Sequence, residues 1–438
     1  MSVKAEGASE LSTDKPATTP AAEGGSGAVD TRPAVSPTPV VVLVAGTAGS
    51  GKSTLGRALA RRLEVPMLDL DTVTNPLLDA VPAETWDGHW LTSPVRESIR
   101  AGRYAALLAT AGEVLATVNG CVLVAPFTRE LSGGQEWRAL VEAVGAAPHV
   151  VHLVGDPAVL SARRAQRGED RDAYRQDATA PTPVRVPVVE VDVELSTSQQ
   201  LTRALVGIGQ RNPFPGAPAD FGGVYDAVLF DLDGTLVDST ASVIRSWRRF
   251  AEELGLSMEA LHENHGRTAR TLVEALLPQS DVEPGLARIE TIEIDDAITV
   301  TATPGALKLF ADIGLPRRGV VTSGSRRIAS ARLREAGFTL DTAMVTADDV
   351  TVGKPDPEPF LLAAKQLGVP ASRCLAVEDA VAGVVAAKAA GCQVLAVEGT
   401  VPAPELMQAG ADWVVDALDR VRLEDTGGRV SLAAADGT

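Results

Sequence analysis

The sequence predicts an α/β chain built from two doubly wound parallel-sheet domains, and three observations carry that prediction. Between Pro39 and Leu205, Val-rich runs at 40–45, 121–125, 149–154 and 186–192 alternate with helical patterns such as "STLGRALARRLE" and "EWRALVEAVGA". Strand–helix alternation of this kind makes parallel strands joined by crossover helices. The alternation resumes from Val224 with "AVLFDLD", "GVVTSG", "TAMVTA", "CLAVED" and "QVLAV". The composition is 45% hydrophobic but only 4% aromatic, so the core is filled by small aliphatic residues that let helices sit close to a sheet.

Taken in order, residues 1–37 are rich in Ala, Thr, Pro, Gly and Ser and offer no apolar face to offset the entropy of ordering, which predicts a disordered tail. Residues 38–207 form the first domain. The Gly/Pro-dense stretch "GIGQRNPFPGAPADFGG" marks a linker at 208–223. Residues 224–424 form the second domain, interrupted at about 240–302 by patterns that read as almost entirely helical, from "ASVIRSWRRFAEELGL" to "LARIETIEIDDAI". Residues 425–438, rich in Gly, Asp and Ala, read as a flexible tail. No internal repeat is present, because the two α/β halves carry different motifs.

Charge and composition exclude several classes. A net charge of −17 works against a nucleic-acid partner, whose affinity comes largely from Lys and Arg neutralising phosphates. Cys121, Cys374 and Cys392 are far apart and odd in number, so they read as reduced thiols rather than a disulfide framework. Apolar runs are strand-sized, far short of the roughly 20 residues that span a bilayer. The first 37 residues carry Glu6, Glu10, Asp14, Glu23 and Asp30, which a transit peptide avoids. The expected compartment is the cytoplasm.

The first chemistry-bearing stretch is "VVVLVAGTAGSGKSTLGRALARRL", in which Gly46, Gly49, Gly51, Lys52 and Ser53 fit G-x-x-x-x-G-K-[ST] between a β-branched run and a helix. Glycines turn backbone N–H groups inward around phosphate oxygens, with Thr54 following in the helix whose N-terminus faces the anion. Lys52 reaches the β/γ-phosphates of ATP and Ser53 ligates Mg²⁺. "PMLDLDTVTNPLLD" brings Asp69 and Asp71 to the end of the second strand, where Asp71 either orients an acceptor hydroxyl or caps the next helix. "SARRAQRGEDRDAYR" clusters Arg163, Arg164, Arg167 and Arg171, either a lid over ATP or a solvated charged helix. Arg100, Arg103 and Tyr104 meet an anionic acceptor or lie on a surface helix.

Together these residues resemble the P-loop kinases of the gluconate and shikimate kinase type over about 170 residues. The resemblance implies a P-loop kinase-like fold, with ATP and Mg²⁺ as cofactors. One departure stands out: the strand "GCVLVAPFTRE" has Ala125-Pro126-Phe127 where a Walker B Asp would often stand, so either metal support falls to Asp69 or Asp71 or the kinase is weakened.

The second stretch, "FDLDGTLVDS", ends an apolar strand with two carboxylates two residues apart. With "VVTSG", "GKPDPEPF" and "AVEDAVAG" in order, it resembles the haloacid dehalogenase superfamily from about Tyr225 to Val397, a Rossmann-like core carrying a helical cap. The resemblance implies that Asp231 is the nucleophile and Asp233 the general acid/base. It also implies that Thr322, with Ser323 and Gly324, binds phosphoryl oxygens. Lys354 balances charge, and Glu378 and Asp379 join Asp231 and Asp233 around Mg²⁺. The region around "HENHGRTARTLVEALL" resembles sugar and polyol phosphatases, which makes His265 and Arg267 candidate substrate contacts or, equally, a polar helix cap.

A phosphate-installing and a phosphate-removing module in one chain leave three readings open. The favoured one is a bifunctional kinase/phosphatase that moves phosphate between positions of a sugar or polyol, with small-molecule phosphate esters and ATP as its partners. The others are a phosphatase controlled by a degenerate nucleotide-binding module and a polynucleotide end-healing enzyme. Neither substrate nor the oligomeric state is legible.

Overall fold

The computed structural model describes residues 39–86, 89–167, 183–210, 221–256 and 269–435. The expected tail at 1–37 lies outside these residues, as does most of the expected linker at 208–223. The Val-rich runs of the first half become β1 (Val40–Gly46), β2 (Met67–Asp69), β3 (Gly120–Val124), β4 (His149–Val154) and β5 (Val189–Asp192). All pair in parallel, in the order β2-β3-β1-β4-β5. Successive residues of β1 feed two cores: Val41 and Leu43 pack with Leu107 and Leu140, whereas Val42 and Val44 pack with Leu55 and Leu59. The helices are α1 (Lys52–Leu63), α2 (Leu70–Asp79), α3 (Arg96–Leu115), α4 (Gly134–Val144), α5 (Pro157–Arg167) and α6 (Thr197–Gly207). Because β3 and β4 flank β1, the chain changes sides of β1 after β3, which leaves a crevice at its carboxyl end where the 46–51 loop lies.

The second half contains β6 (Gly223–Tyr225), β7 (Ala227–Phe230), β8 (Val237–Asp238), β9 (Thr301–Ala302), β10 (Arg318–Val321), β11 (Ala343–Val345), β12 (Cys374–Glu378), β13 (Gln393–Val397) and β14 (Trp413–Val415). Six of these strands make a parallel sheet in the order β11-β10-β7-β12-β13-β14. Central β7 and β12 are fully buried, as strands covered on both faces must be.

Between β8 and β9 the chain leaves this sheet for α7 (Thr240–Leu254), α8 (Ala269–Leu276) and α9 (Val282–Asp296). These helices surround their own apolar cluster of Trp247, Phe250, Val273, Val282, Ile289 and Ile292. The inserted helices join the α/β core through the ribbon in which β8 and β9 pair antiparallel, Asp238 opposite Thr301. Helices α10 (Ala306–Ala311), α11 (Arg326–Glu335), α12 (Glu358–Gln366), α13 (Val381–Ala389) and α14 (Ala403–Gln408) complete the core.

The expected flexible tail at 425–438 is corrected by the structure. Residues 421–425 and 430–434 form an antiparallel hairpin of β15 (Val421–Asp425) and β16 (Val430–Ala434), and β6 adds to its β16 edge. Val430 and Leu432 alternate inward and are buried in the main cluster, and Gly427 at φ 84° supplies the left-handed turn residue. Arg317 clamps Asp425 through Nη2 at 2.7 Å. Of the expected tail, only 436–438 lie outside the described residues.

Ion pairs connect the first sheet's flank to the ribbon and the inserted helices. Arg203 of α6 pairs with Asp238 of β8, Arg248 of α7 pairs with the buried Glu194, and Arg245 of α7 bridges Asp192 at 3.2 Å and Asp296 at 2.9 Å. A polar cavity of about 350 Å³ opens among Glu190, Asp192, Arg203, Asp238 and Arg245. Among the described residues no helix is long and apolar enough to cross a membrane.

Candidate active site

Each parallel sheet carries its chemistry at the carboxyl ends of its central strands. In the first, Gly46, Gly49 and Gly51 all have positive φ, and Gly51 at φ 86° precedes α1 as its N-cap. A Cβ on Gly49 would lie 2.7 Å from the Leu160 carbonyl and 2.9 Å from Arg164 Cγ, so α5 closes directly on the loop and only glycine fits. Lys52 Nζ donates to the Thr47 carbonyl at 2.7 Å across the loop, and the backbone N–H of Thr54 donates to Gly51 at 3.0 Å. Ser53 Oγ donates to Asp69 Oδ2 at 2.5 Å. This contact sets Asp69 beside Ser53, the place where a Mg²⁺ ion serving ATP would find two oxygen ligands. Ala125, at the end of β3 and 2% exposed, offers none.

The alternatives left open by the sequence separate here. Asp69, not Asp71, caps α2: its Oδ1 accepts from the Asp71 backbone N–H at 2.9 Å. Asp71 falls one residue into the helix and pairs with Arg103 Nη2 at 2.5 Å. Arg103 also donates to Thr74 and Asn75 and lies over the Trp90 ring at 4.9 Å. The surface-helix reading of α3 is corrected, because Tyr104 is 8% exposed, its hydroxyl accepts from the Phe127 N–H at 3.0 Å, and Arg100 pairs with buried Glu130. Burial pushes the Tyr104 hydroxyl well above the usual phenol range. Of the arginine cluster, Arg163 donates to the Val193 carbonyl at 2.9 Å and Arg164 flanks Gly49. Arg167 ends α5 with its side chain outside the described residues, and Arg171 lies outside them altogether.

In the second sheet, Asp231 follows β7 and Glu378 with Asp379 ends β12. One oxygen from each of these three buried carboxylates lies within 4.8 Å of the others. Lys354 Nζ, itself buried, donates to Asp231 Oδ1 at 2.6 Å, Glu378 Oε1 at 2.5 Å and the Val321 carbonyl at 2.9 Å. One ammonium does not balance three carboxylates. Burial pushes Asp231 well above the usual carboxylate range, aided by Glu378 and Asp379 and opposed by Lys354; burial and Glu378 likewise push Asp379 up to about 7. Hard oxygen ligands short of positive charge fit a Mg²⁺ ion.

Gly234 makes this approach possible, since at φ 90° a Cβ there would fall 1.9 Å from Asp379 Oδ2. Thr322, at the end of β10, is buried, and its Oγ1 accepts from the Gly324 N–H at 3.1 Å in the turn that also holds Ser323. Asp233, also expected around Mg²⁺, is placed differently from these three. Its carboxylate stands outside the three-residue cluster, accepting instead from Ser239 Oγ at 2.6 Å and Arg332 Nη1 at 2.8 Å. His265 and Arg267 lie outside the described residues. Sequence reasoning missed Arg332, Glu293 and Thr400, whose hydroxyl donates to Asp379; no motif marks any of them.

Comparison with known proteins agrees with this division. Residues 225–391 match the haloacid dehalogenase-like hydrolase family, and residues 41–182 match an AAA domain family. Hexitol phosphatase A of Escherichia coli is 40% identical over 200 residues, covering 44% of this chain and 91% of the relative. Validoxylamine A 7'-phosphate phosphatase of Streptomyces hygroscopicus is 34% identical over 208 residues, covering 45% of this chain and 97% of the relative. Glycerol-1-phosphate phosphohydrolase 2 of Saccharomyces cerevisiae is 30% identical over 211 residues, covering 45% and 84% respectively.

Proposed function

This chain belongs to the haloacid dehalogenase-like hydrolases, with an AAA-type P-loop domain ahead of the hydrolase, and on that premise we propose a bifunctional small-molecule enzyme. The hydrolase half removes phosphate from a sugar or polyol phosphate, and the P-loop half transfers phosphate from ATP to a hydroxyl of the same class of molecule. The observation that carries the first activity is the buried Lys354 ammonium shared between Asp231 and Glu378 beside Asp379. The small phosphate esters named for the relatives, of hexitol, glycerol and validoxylamine A, and the inserted helices favour a small substrate over a polymer.

In this reading Asp231 attacks phosphorus while Asp233 gives a proton to the departing alkoxide, and Asp233 then takes a proton from the water that hydrolyses the aspartyl-phosphate. Thr322 and the Ser323 N–H receive phosphoryl oxygens, with Gly324 holding the turn through its N–H to Thr322 Oγ1, and Lys354 holds Asp231 aligned and offsets the gathering negative charge. Asp231 and Asp379, with Glu378 behind them, would hold Mg²⁺, which supplies charge neutralisation for the phosphoryl group. In the P-loop half Lys52 faces the β/γ-phosphates, Ser53 and Asp69 would hold the nucleotide's Mg²⁺, and Asp71 orients the acceptor hydroxyl.

A second reading, in which the P-loop domain senses ATP and governs the hydrolase, draws support from Ala125 at the end of β3 and from the ion pairs reaching β8 of the ribbon and α7 of the inserted helices. The test is a screen of the full chain, Asp231→Asn and Lys52→Ala against a panel of hexitol, glycerol and sugar phosphates. Mg²⁺-dependent phosphate release that disappears in Asp231→Asn supports the hydrolase. ATP-dependent phosphorylation that disappears in Lys52→Ala supports the kinase, and ATP binding without transfer to any acceptor refutes the kinase in favour of control.

A further inference from the structure

Arg332 belongs to the core helix α11, yet its two charged partners belong to different bodies. Nη1 donates to Asp233 Oδ1 at 2.8 Å, and Nη2 stands 3.4 Å from Glu293 Oε2 on α9 of the inserted helices. The arginine is 2% exposed and Glu293 6% exposed. A guanidinium is expensive to bury and is held where hydrogen bonds and opposite charge compensate it. Here the compensation is incomplete, because Nε has no hydrogen-bond partner and Nη2 reaches Glu293 by charge rather than by a hydrogen bond. The side chain is therefore held chiefly by Asp233 and, across the seam, by Glu293. Ser239 Oγ, the other donor to Asp233 Oδ1, sits one residue beyond the β8 strand of the ribbon.

We infer that Arg332 is a positioning residue that fixes the Asp233 carboxylate for proton transfer, and that Glu293 makes this positioning depend on where the inserted helices stand. The inference rests on the proposed acid/base role of Asp233. As Asp231 forms its bond to phosphorus and the P–O bond to the alcohol breaks, the Asp233 proton must pass to that oxygen. In the second half the Asp233 carboxylate takes a proton from water, whose oxygen bonds to phosphorus as the Asp231–phosphorus bond breaks. Both transfers need the same oxygen aimed at the scissile bond. Arg332 and Ser239 gripping one oxygen, Oδ1, leave Oδ2 to make them. With α9 seated, Glu293 shares Arg332; with α9 withdrawn, the guanidinium has Asp233 alone and draws it back toward α11.

The test compares leaving groups in the full chain with Mg²⁺. Glycerol 1-phosphate expels glycerol as an alkoxide that needs a proton, whereas p-nitrophenyl phosphate expels a stable phenolate. Arg332→Met is expected to lower kcat on glycerol 1-phosphate about 100-fold with KM changed less than about threefold, and to slow the first-turnover release of nitrophenolate less than about threefold. Arg332→Lys should regain about tenfold over Arg332→Met, and Glu293→Gln should show the same leaving-group split at about tenfold. If Arg332→Met does not fold, Arg332→Lys and Glu293→Gln carry the comparison alone. Equal losses on both substrates, or none on either, overturn the inference. Intact glycerol 1-phosphate hydrolysis by Asp233→Asn defeats the acid/base reading itself, whereas a crippled Asp233→Asn beside a normal Arg332→Met defeats only the positioning role.

Discussion

Replacing Lys354 with Met keeps an unbranched side chain one atom shorter and deletes its charge, leaving three buried carboxylates without their ammonium. Lys354 reaches two of them at 2.6 and 2.5 Å from inside the protein, and removing one partner of a buried pair costs about 3–5 kcal/mol. At about 2–4 °C per kcal/mol for a unit of this size, the melting temperature should fall by roughly 6–20 °C. The loss has a pH signature. Asp231 and Asp379 already sit above the ordinary carboxylate range, Asp379 at about 7. At these two carboxylates the folded state therefore holds more protons than the unfolded state between about pH 4 and 7, and their contribution to stability falls as pH rises through that window. Lys354 itself is raised and titrates far above it, so its charge is constant there. Without it the carboxylates climb further, and the deficit of Lys354→Met should be larger at about pH 8 than at about pH 5. Mg²⁺ at about 100 times its dissociation constant should return about 2.7 kcal/mol to any protein that binds it in the folded state alone. Urea unfolding of the full chain at both pH values, with and without Mg²⁺, reads all three effects. A loss below about 1 kcal/mol at both pH values refutes the charge accounting at this cluster.

Asp379→Ala removes a candidate Mg²⁺ ligand and should raise the Mg²⁺ concentration needed for phosphate release or abolish release, which a metal titration of the rate checks. Lys52→Ala should end ATP-dependent transfer and spare hydrolysis of a preformed phosphoester; loss of both in a folded variant would favour control through the ribbon. Given a polyol monophosphate and ATP, Asp231→Asn should accumulate a bisphosphate where the unaltered protein makes an isomeric monophosphate, visible by mass spectrometry; labelled phosphate leaving from the oxygen it entered would sink the relocation scheme. Arg245→Gln removes the bridge between Asp192 and Asp296; since these are partly exposed pairs worth about 0–1 kcal/mol each, it should change stability little while shifting hydrolysis only if the P-loop domain governs the hydrolase.

The residues that were legible in the sequence are those whose type and position are dictated locally. Glycines at 46, 49 and 51 must take positive φ next to a strand end, and carboxylates at 231, 378 and 379 stand where buried apolar runs stop. Residues whose meaning depends on what folds against them were not legible. In "RRIASARLRE" four arginines share one helix, and only packing against α9 and the loop after β7 decides that Arg332 is the buried one. Asp69 and Asp71 are two positions apart, and a strand that stops at Asp69 rather than later makes the first the cap and sends the second to Arg103. Residues 425–434 of the hairpin read as part of a tail because its alternation spans only a few residues on each side of Gly427, a signal too short to outweigh the surrounding Gly and Asp. Tyr104 shows the opposite error, a core residue flanked by charges whose ion-paired partners were distant in sequence.

The antiparallel sheet that joins β6 to β16 sets an order of events during synthesis. Tyr225, which opens the second half, pairs with Val430, which lies almost at its close, and β15 reaches β6 only through β16. The first parallel sheet is complete once Asp192 has been made, so it is free to fold while the ribosome is still extending the chain. The hydrolase half must wait. Until residues 430–434 emerge, the apolar faces of Tyr225 and Leu423 lack the strand that covers them, and the nascent chain presents them to whatever chaperone or protease meets it first. A ribosome that stalls just short of Val430 therefore releases a protein with a finished P-loop domain and an open hydrolase.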